Sequence, residues 1–308
     1  MIHHVYANQS NVGDWLSAQG IQSLLRPWAV TEHFCDVPFV EETLTALGRL
    51  GERDLILIGG GGLFMDYFVP FWEGFRPIAA RVPYVLWGVG CCDAKRGGSL
   101  PPVSLLNEII RRSRLCVVRD ELTRARYGGG ALPPPVACPS VVAVPAPGAP
   151  EARLLHVDHL DLVGEAVYER MVAGARAYAQ QTGRTYRQTN NRIPPRSASA
   201  LAATLTLYAS AEVVLASRLH GCILALAMGR PVLAVSGDRK IESFMRAVGL
   251  DSWVCDPDGI GQLPELLTAL PRQPSAWSHV ERAREENRRV AGAVRQIAEG
   301  CSAGQPTL

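Results

Sequence analysis

The sequence predicts a doubly wound α/β protein in two halves. Short apolar runs, rich in branched side chains and each followed by a turn signal, alternate with helical patterns along most of the chain. Continuous apolar runs of this kind are typical of parallel strands buried on both faces. A proline- and glycine-rich stretch at 129–150 separates two such series. The length of 308 residues suits two domains or one large α/β domain.

In the first half, an N-terminal strand precedes the first helical pattern, and three further apolar runs are predicted as strands at 55–58, 84–87 and 115–118. The first two of these runs stop at glycine, and the third stops at Arg119. Helical patterns lie at 15–25, 40–50, 102–113 and 121–127. This alternation predicts a parallel sheet with crossover helices.

In the second half, apolar or branched runs predict strands at 154–157, 185–188, 213–216 and 231–235. Helices are predicted at 162–182, 198–208, 221–228 and 241–248, followed by a long charged helix at 276–299. We therefore expect one α/β domain over 1–148, a second over 149–275, and a terminal segment, 276–308, that packs back on the first domain. The carboxyl ends of the strands would face the cleft between the domains.

The composition excludes several classes of protein. A hydrophobic share of 47% and a charged share of 19% are typical of a soluble globular chain, not of a disordered one. The net charge of +2 comes without a dense basic patch, so nucleic acid is not an expected partner. The N-terminus lacks the pattern of a signal peptide, and no run of 18 apolar residues exists. We expect a cytoplasmic protein.

The eight cysteines are scattered, and neither a CxxC pair nor zinc-ligand spacing occurs. A disulfide framework is not expected at this size, and the thiols should be reduced. His156, Asp158, His159 and Asp161 resemble a metal cluster, but their spacing directs them to both faces of a strand or into a turn. We therefore expect no metal.

Basic side chains follow the ends of several predicted strands. They are Arg119, Arg218 with His220, and Lys240, which is one of only two lysines in the chain. A guanidinium at such a position can hold phosphate or carboxylate bidentately, and a histidine can transfer protons near neutral pH. Ion pairs, a solvated charge run and a structural histidine are the alternatives. Together these residues favour an anionic substrate.

Polar and glycine-rich turns in the first half supply the other candidates. Asn11, Gly13 and Asp14 follow the first strand, where Asp14 either caps the helix or faces a ligand. The run 59–62, which includes Gly60 and Gly61, is either a tight turn or a place of close backbone approach. Asp66 either faces the same cleft or serves as a capping carboxylate.

These motifs, in this order, resemble the polysaccharide pyruvyltransferases from about residue 8 to residue 254. The resemblance is carried by the Asn-x-Gly-Asp turn, the glycine run, Gly88-Val89-Gly90, Val118-Arg119-Asp120, Ser217-Arg218-Leu219-His220-Gly221, Gly229-Arg230-Pro231 and Lys240. It implies a GT-B-like pair of Rossmann domains. It also implies transfer of an enolpyruvyl unit from phosphoenolpyruvate to two hydroxyls of a saccharide, with a pyruvate ketal and phosphate as products.

The resemblance also implies roles for the candidates. Arg119, Arg218, His220 and Lys240 would hold the donor, with His220 as the leading acid–base group and Arg218 and Lys240 beside it in the catalytic set. Asn11, Gly13, Asp14, Gly60, Gly61 and Asp66 would face the acceptor. No metal and no cofactor are implied, since phosphoenolpyruvate is a co-substrate. The chain departs from the family pattern at Cys138, where an aspartate is common before the proline, and at Ser236-Gly237, where a tyrosine is common.

Two other functions stay open from the sequence: a GT-B-type nucleotide-sugar glycosyltransferase and a non-catalytic glycan-binding member of the family. The acceptor is also open. A lipid-linked saccharide, reached by peripheral contact with the inner membrane face, an exopolysaccharide or cell-wall glycan precursor, and a small glycosylated metabolite all fit. The sequence does not indicate an oligomeric state.

The cysteine pattern makes a direct prediction. Titration of the denatured, non-reduced protein with a thiol reagent should find eight free thiols per chain, because none of the eight cysteines is expected in a disulfide or a metal site. Six or fewer free thiols in fresh protein would contradict this prediction.

Overall fold

The structure, a computed structural model, describes residues 1–97 and 99–303 and contains two five-stranded parallel sheets. The first sheet has the strand order β2-β1-β3-β4-β5 and the second the order β10-β9-β8-β6-β7. The strands of the first sheet are β1 (Ile2–Tyr6), β2 (Val30–Phe34), β3 (Leu55–Phe64), β4 (Tyr84–Cys91) and β5 (Leu115–Val118). Those of the second are β6 (Arg153–Val157), β7 (Thr185–Thr189), β8 (Val213–Ala216), β9 (Val232–Val235) and β10 (Val254–Cys255).

Both sheets share one winding pattern. In each, the first strand lies between the second and the third, so the strand order reverses between β1 and β3 and again between β6 and β8. Parallel sheets bind ligands in the crevice outside the carboxyl ends of the strands at such a reversal. The topology therefore provides two crevices, one in each half.

Helices cover both sheets. They are α1 (Val12–Leu25), α2 (Val40–Leu47), α3 (Val69–Ala79), α4 (Val103–Arg112), α5 (Glu121–Arg126), α6 (Ser140–Ala143), α7 (Leu160–Val163), α8 (Glu165–Gln181), α9 (Ala198–Ser210), α10 (Leu219–Ala227), α11 (Arg239–Ala247), α12 (Leu263–Ala269) and α13 (Trp277–Ala303). The central strands β1, β4 and β8 are wholly buried, and β3 is buried except at Gly62. Strands β4 and β8 have the continuous apolar sequences that such burial favours, whereas β1 buries two histidines. Within the described ranges, no helix combines the length and apolar character that a membrane crossing needs.

The glycine run corrects one prediction. The predicted strand ends at residue 58, with a tight turn as one of two alternatives for 59–62, but β3 continues through these glycines to Phe64, and the pairing register with β4 shifts between Gly61 and Phe64. Gly60 and Gly61 have φ of +82° and +136°, which side chains with a Cβ rarely adopt. The run is therefore an irregular strand segment that carries β3 beyond its predicted end, toward the cleft.

Edge strands and the linker also differ from expectation. Strand β2 was not predicted, because its residues are exposed or half-buried and three of the five are polar. The proline-rich stretch is more than a spacer. It contains α6, and Cys138 and Val141 are buried in a core cluster with residues of α1 and α10. The division of the chain near residue 148 stays a prediction.

Helix α13 packs against the first sheet. Val290, Ala291 and Val294 share a buried cluster with β1, β3 and β4. Asn287 is fully buried, and its Oδ1 accepts a hydrogen bond of 2.9 Å from Trp87 Nε1 in β4. Its Nδ2 donates to the carbonyl oxygen of Ala137, also at 2.9 Å. One amide therefore connects the helix, the sheet and the proline-rich stretch.

Replacing this amide should destabilise the protein. Asn287→Ala leaves the Trp87 N–H and the Ala137 carbonyl unpaired in the interior, and each such group costs about 1–3 kcal/mol. We expect the free energy of unfolding in urea to fall by about 2–4 kcal/mol in total. Arg288→Ala, an exposed neighbour on the same helix, is the control and should change it by less than about 0.5 kcal/mol. Equal effects of the two variants would contradict the prediction.

Candidate functional site

A cavity of about 890 Å³ lies where the carboxyl ends of the two sheets face each other. Its wall includes seven of the candidate residues from the sequence, contributed by both halves: Asn11, Asp14, Asp66, Arg119, Arg218, His220 and Lys240. Both winding reversals open onto it, because β1 and β3 lead to one side and β6 and β8 to the other. The two predicted crevices are thus one site.

The basic side chains reach the cavity from strand ends. Arg119 directly follows β5, Arg218 precedes the first residue of α10, and Lys240 lies in the first turn of α11. Two carboxylates cap the helices nearby. Asp120 accepts from Thr123 N at 2.7 Å, and Asp238 accepts from Lys240 N at 3.0 Å. Asp120 is therefore the N-cap of α5.

Each cation is held by a polar neighbour. Arg119 has a side chain only 3% exposed, with Nε 3.4 Å from Asp120 Oδ2. Arg218 donates from Nε to the Asp158 carbonyl at 2.7 Å. Lys240 Nζ lies 2.8 Å from Asp238 Oδ2 and 3.0 Å from Cys92 Sγ. Burial opposes the charge of Lys240, but Cys92 and Asp238 outweigh it and hold the pKa of the ammonium above its usual value.

His220 occupies a tight position between the halves. A Cβ built on Gly13 would lie 2.0 Å from His220 Nδ1, so only glycine at 13 leaves room for the ring. On the other side, Nε2 is 3.6 Å from Cys138 Sγ. Burial, followed by the charges of Arg119, Lys240 and Arg218, holds the pKa of His220 well below its usual range. The ring is therefore neutral at pH 7.

The structure shows which residue caps α1 and which carboxylate is left without a capping role. Asn11 Oδ1 accepts from Gly13 N at 2.9 Å and from Asp14 N at 3.4 Å, so Asn11 is the N-cap and Asp14 is not. The Asp14 carboxyl group lies over Gly61, where an added Cβ would be 2.7 Å from Oδ1. Burial raises the pKa of Asp14 to about 6, although Arg119, Lys240 and Arg218 each lower it.

Three candidate glycines lie behind the wall of the cavity. Gly13 supports the ring of His220, and Gly61 supports the carboxyl group of Asp14. Gly60 packs against Ser17, because a Cβ added to Gly60 would lie 2.9 Å from the Cβ of Ser17. In the part of the chain that the structure describes, Gly62 is the member of the run that lines the cavity. A direct contact between Gly13, Gly60 or Gly61 and an acceptor stays a prediction.

The cavity wall also contains two residues, Asp36 and Tyr67, that the sequence did not single out. Asp36 follows β2 and accepts hydrogen bonds from Asn8 Nδ2 at 2.8 Å and from the Tyr67 hydroxyl. Tyr67 is 45% exposed, and Asp66 beside it accepts from Ser99 Oγ at 2.6 Å. Asp36 could have been singled out only by its position after a strand, and that strand, β2, is not recognisable from its sequence.

Two backbone connections join the halves beside the cavity. On one side, Val12 N donates to Asn191 O and Ile193 N donates to Ser10 O, both at 2.9 Å. On the other, Lys95 N donates to Gly237 O and Arg239 N donates to Asp93 O, both at 3.0 Å. The wall is therefore fixed by main-chain bonds as well as by side chains.

The suspected metal cluster of the second half does not assemble. His156 Nδ1 hydrogen-bonds the Tyr186 hydroxyl at 2.9 Å, whereas His159 lies in the cavity wall. Burial, with Arg218 and Lys240, lowers the pKa of His159 to about 3. No group of three His, Cys, Asp or Glu residues that could hold a metal ion occurs within residues 1–97 and 99–303.

Comparisons with known proteins agree with this architecture. A family model described as polysaccharide pyruvyl transferase matches residues 11–239. Among solved structures, UDP-GlcNAc 2-epimerase from Methanocaldococcus jannaschii, in complex with UDP-GlcNAc and UDP, has a TM-score of 0.56 at 10% identity over 89% of this chain and 93% of its own. S. aureus MnaA bound to UDP has a TM-score of 0.54 at 8% identity over 89% and 91%.

These likenesses, at such low identity, are likenesses of fold. They confirm the GT-B-like α/β architecture that the sequence predicted, with two doubly wound sheets facing a cleft. The search of curated protein sequences gives no match.

The contact between His220 and Cys138 predicts a tunable pKa. Cys138→Asp places a carboxylate near Nε2, which favours the imidazolium form and should raise the pKa of His220 by about 1–3 pH units. Cys138→Ser, which adds no charge, is the matched control and should leave it low. Titration of the histidine ring protons by NMR measures both. A His220 pKa that is the same in the two variants would contradict the reported geometry.

Proposed function

The chain belongs to the polysaccharide pyruvyl transferase family, and from this premise we propose that it transfers the enolpyruvyl unit of phosphoenolpyruvate to two hydroxyls of a saccharide. The products are a cyclic pyruvate ketal and phosphate. The family name indicates a transferase. The choice of donor and the formation of a ketal are the proposal.

The observation that carries the proposal is the convergence of Arg119, Arg218 and Lys240 on one cavity. Phosphoenolpyruvate bears a phosphate and a carboxylate, and several fixed cations are needed to seat both groups. The two guanidinium forks suit planar bidentate contacts with these oxyanions. Lys240 is a point charge that can stay with the phosphate as it leaves and stabilise its developing charge.

The reaction needs a group that accepts protons from the saccharide. Addition of a proton to the methylene carbon makes C2 electrophilic, and one hydroxyl oxygen then bonds to C2. The C2–O bond to phosphate breaks with its electron pair, and the second hydroxyl oxygen closes the ketal. Of the two hydroxyl protons, one balances the new methyl group and one leaves on phosphate. His220, neutral and at the cavity wall, is suited to accept them.

The acidic and amide side chains of the cavity wall suit the acceptor. The carboxylates of Asp36 and Asp66 can accept hydrogen bonds from sugar hydroxyls, and Asn11 can both donate and accept. The exposed ring of Tyr67 offers a face for the C–H groups of a sugar. The first half then supplies most of the acceptor side and the second half most of the donor side, with Arg119 crossing between them.

We place the reaction in the cytoplasm, because eight cysteines without disulfides indicate a reducing compartment. An acceptor that is lipid-linked would be met at the inner face of the membrane by peripheral contact. Phosphoenolpyruvate acts as co-substrate, and the proposed chemistry requires neither a metal nor a cofactor.

Single substitutions should separate donor binding from turnover. Arg218→Ala and Lys240→Ala each remove a cation, so the free energy of phosphoenolpyruvate binding should weaken by about 1.5–3 kcal/mol. His220→Ala should lower turnover roughly 10²–10⁴-fold and change donor affinity less. Calorimetric titration with phosphoenolpyruvate and phosphate release with a panel of methyl hexopyranosides measure the two effects.

Arg246→Ala is the matched control, because Arg246 lies on the exposed face of the helix that carries Lys240. It should leave both quantities unchanged. If neither Arg218→Ala nor Lys240→Ala alters donor binding, phosphoenolpyruvate is not the donor. Binding of a UDP-sugar in its place would then favour the nucleotide-sugar glycosyltransferase. Binding of glycans without any turnover would favour the non-catalytic function.

A further inference from the structure

We propose that Asp14 is the acid that protonates the methylene carbon of phosphoenolpyruvate, and that His220 serves only as the proton acceptor. This inference rests on the proposed function, because it assigns a role within that reaction. The family resemblance in the sequence implies His220 as the leading acid–base group. Here the acid role is assigned to Asp14, and the base role stays with His220.

Asp14 and His220 line the same cavity and are connected through the first turn of α1. The ring of His220 packs on Gly13, and the carboxyl group of the next residue, Asp14, lies over Gly61. A proton donor and a proton acceptor in one cavity can act on the methylene carbon of the donor and on a hydroxyl oxygen of the acceptor.

The carboxyl group of Asp14 is not committed to the protein. Asn11 performs the capping that Asp14 could have performed. Among residues 1–97 and 99–303, the Asp14 carboxyl oxygens have no hydrogen-bond partner, whereas Asp36, Asp66 and Asp238 all have one. An uncommitted carboxyl group in a cavity wall is available to a substrate.

Charged groups from both halves face Asp14. Arg119 comes from the end of β5, Arg218 from the start of α10, and Lys240 from α11, while Asp36 and the Cys35 thiol come from the end of β2. His220 adds a neutral ring. The cations favour the carboxylate, and burial and Asp36 favour the acid.

Burial prevails, and the pKa of Asp14 rises to about 6 before any substrate binds. A bound phosphate and carboxylate would neutralise the three cations and place new negative charge beside the carboxyl group, which raises its pKa further. The donor complex therefore favours the protonated acid at neutral pH. His220 is displaced in the opposite direction, and two titratable groups driven apart in this way are suited to opposite roles.

Other groups in the wall are less suited to donate. The imidazolium form of His220 is scarce at neutral pH, because its pKa is well below the usual range. Lys240 is held between Asp238 and Cys92, which raise its pKa and make it reluctant to release a proton. Asp66 already accepts a hydrogen bond from Ser99.

The step balances without any further reactant. The Asp14 O–H bond breaks, and the π electrons of the C2–C3 double bond form the new C3–H bond, which leaves C2 as an oxocarbenium centre. A hydroxyl oxygen of the saccharide bonds to C2 and gives its proton to His220. That proton then returns to the Asp14 carboxylate, which restores both groups for the next turnover.

The test compares Asp14→Asn and Asp14→Glu with the unmodified protein across pH. In the unmodified protein, turnover measured as phosphate release should fall tenfold per pH unit above the pKa of Asp14 in the donor complex, because the acid form is lost as pH rises. Asp14→Asn should lower turnover roughly 10²–10⁴-fold and abolish this alkaline decline. Asp14→Glu, which keeps an acid, should retain the decline and more of the activity.

Donor affinity excludes a merely structural role. Asp14→Asn removes negative charge beside the bound oxyanions, so its dissociation constant for phosphoenolpyruvate should be unchanged or lower. Thermal unfolding checks that the variant folds, and Asp251→Asn, an exposed aspartate outside the cavity, is the control for the chemical change.

The outcomes are distinct. If the unmodified protein turns over phosphoenolpyruvate but Asp14→Asn keeps the alkaline decline or near-normal turnover, Asp14 is not the acid. If Asp14→Asn loses donor affinity along with turnover, the residue supports the site and the inference fails. If the unmodified protein neither binds nor consumes phosphoenolpyruvate, the proposed function fails and this inference fails with it.

Discussion

Three cations close together repel one another, and the arrangement of this protein depends on how that repulsion is contained. Arg119, Arg218 and Lys240 reach one cavity from three separate strand ends. In a partly buried site the repulsion is far larger than in water, because the effective dielectric constant is low. Asp120 and Asp238 lie behind two of the cations and also cap the adjoining helices. The same carboxylates thus begin the helices and hold the charges.

This containment leaves the front of each cation for a ligand. Arg218 uses its Nε on a carbonyl, and Arg119 uses its Nε on Asp120, so both keep further N–H donors. The field of the three cations acts on the two groups beside them in the same direction. It disfavours the imidazolium of His220, and it lowers the pKa of Asp14 from the still higher value that burial alone would give. The three cations that suit an anionic donor therefore also favour the neutral form of His220 and the ionised form of Asp14.

The sequence contained most of the fold and part of the site. Apolar runs located the buried central strands, because continuous burial requires continuous apolar sequence. It also located Arg119, Arg218, His220 and Lys240, because they lie within a few residues after the ends of such runs. Edge strand β2 was missed, since three of its five residues are polar, and Asp36, which comes after it, was missed too. The strand β3 was predicted to end before the glycine run, because glycines carry no apolar side chain to extend the pattern. That Gly13 makes room for His220 is visible only once both halves are placed.

The scarcity of lysine gives the cleft a chemical property of its own. The chain has two lysines, Lys240 in the cavity wall and Lys95 in the connection between the halves, where its Nζ lies 2.5 Å from Glu242. With 29 arginines covering the rest of the basic surface, an amine-selective acylating reagent has only these two side chains and the N-terminal amine as targets. Carboxylates hold both lysines in the protonated, unreactive form, so their acylation requires the ion pairs to open, and mass spectrometry of the acylated protein would report on that opening.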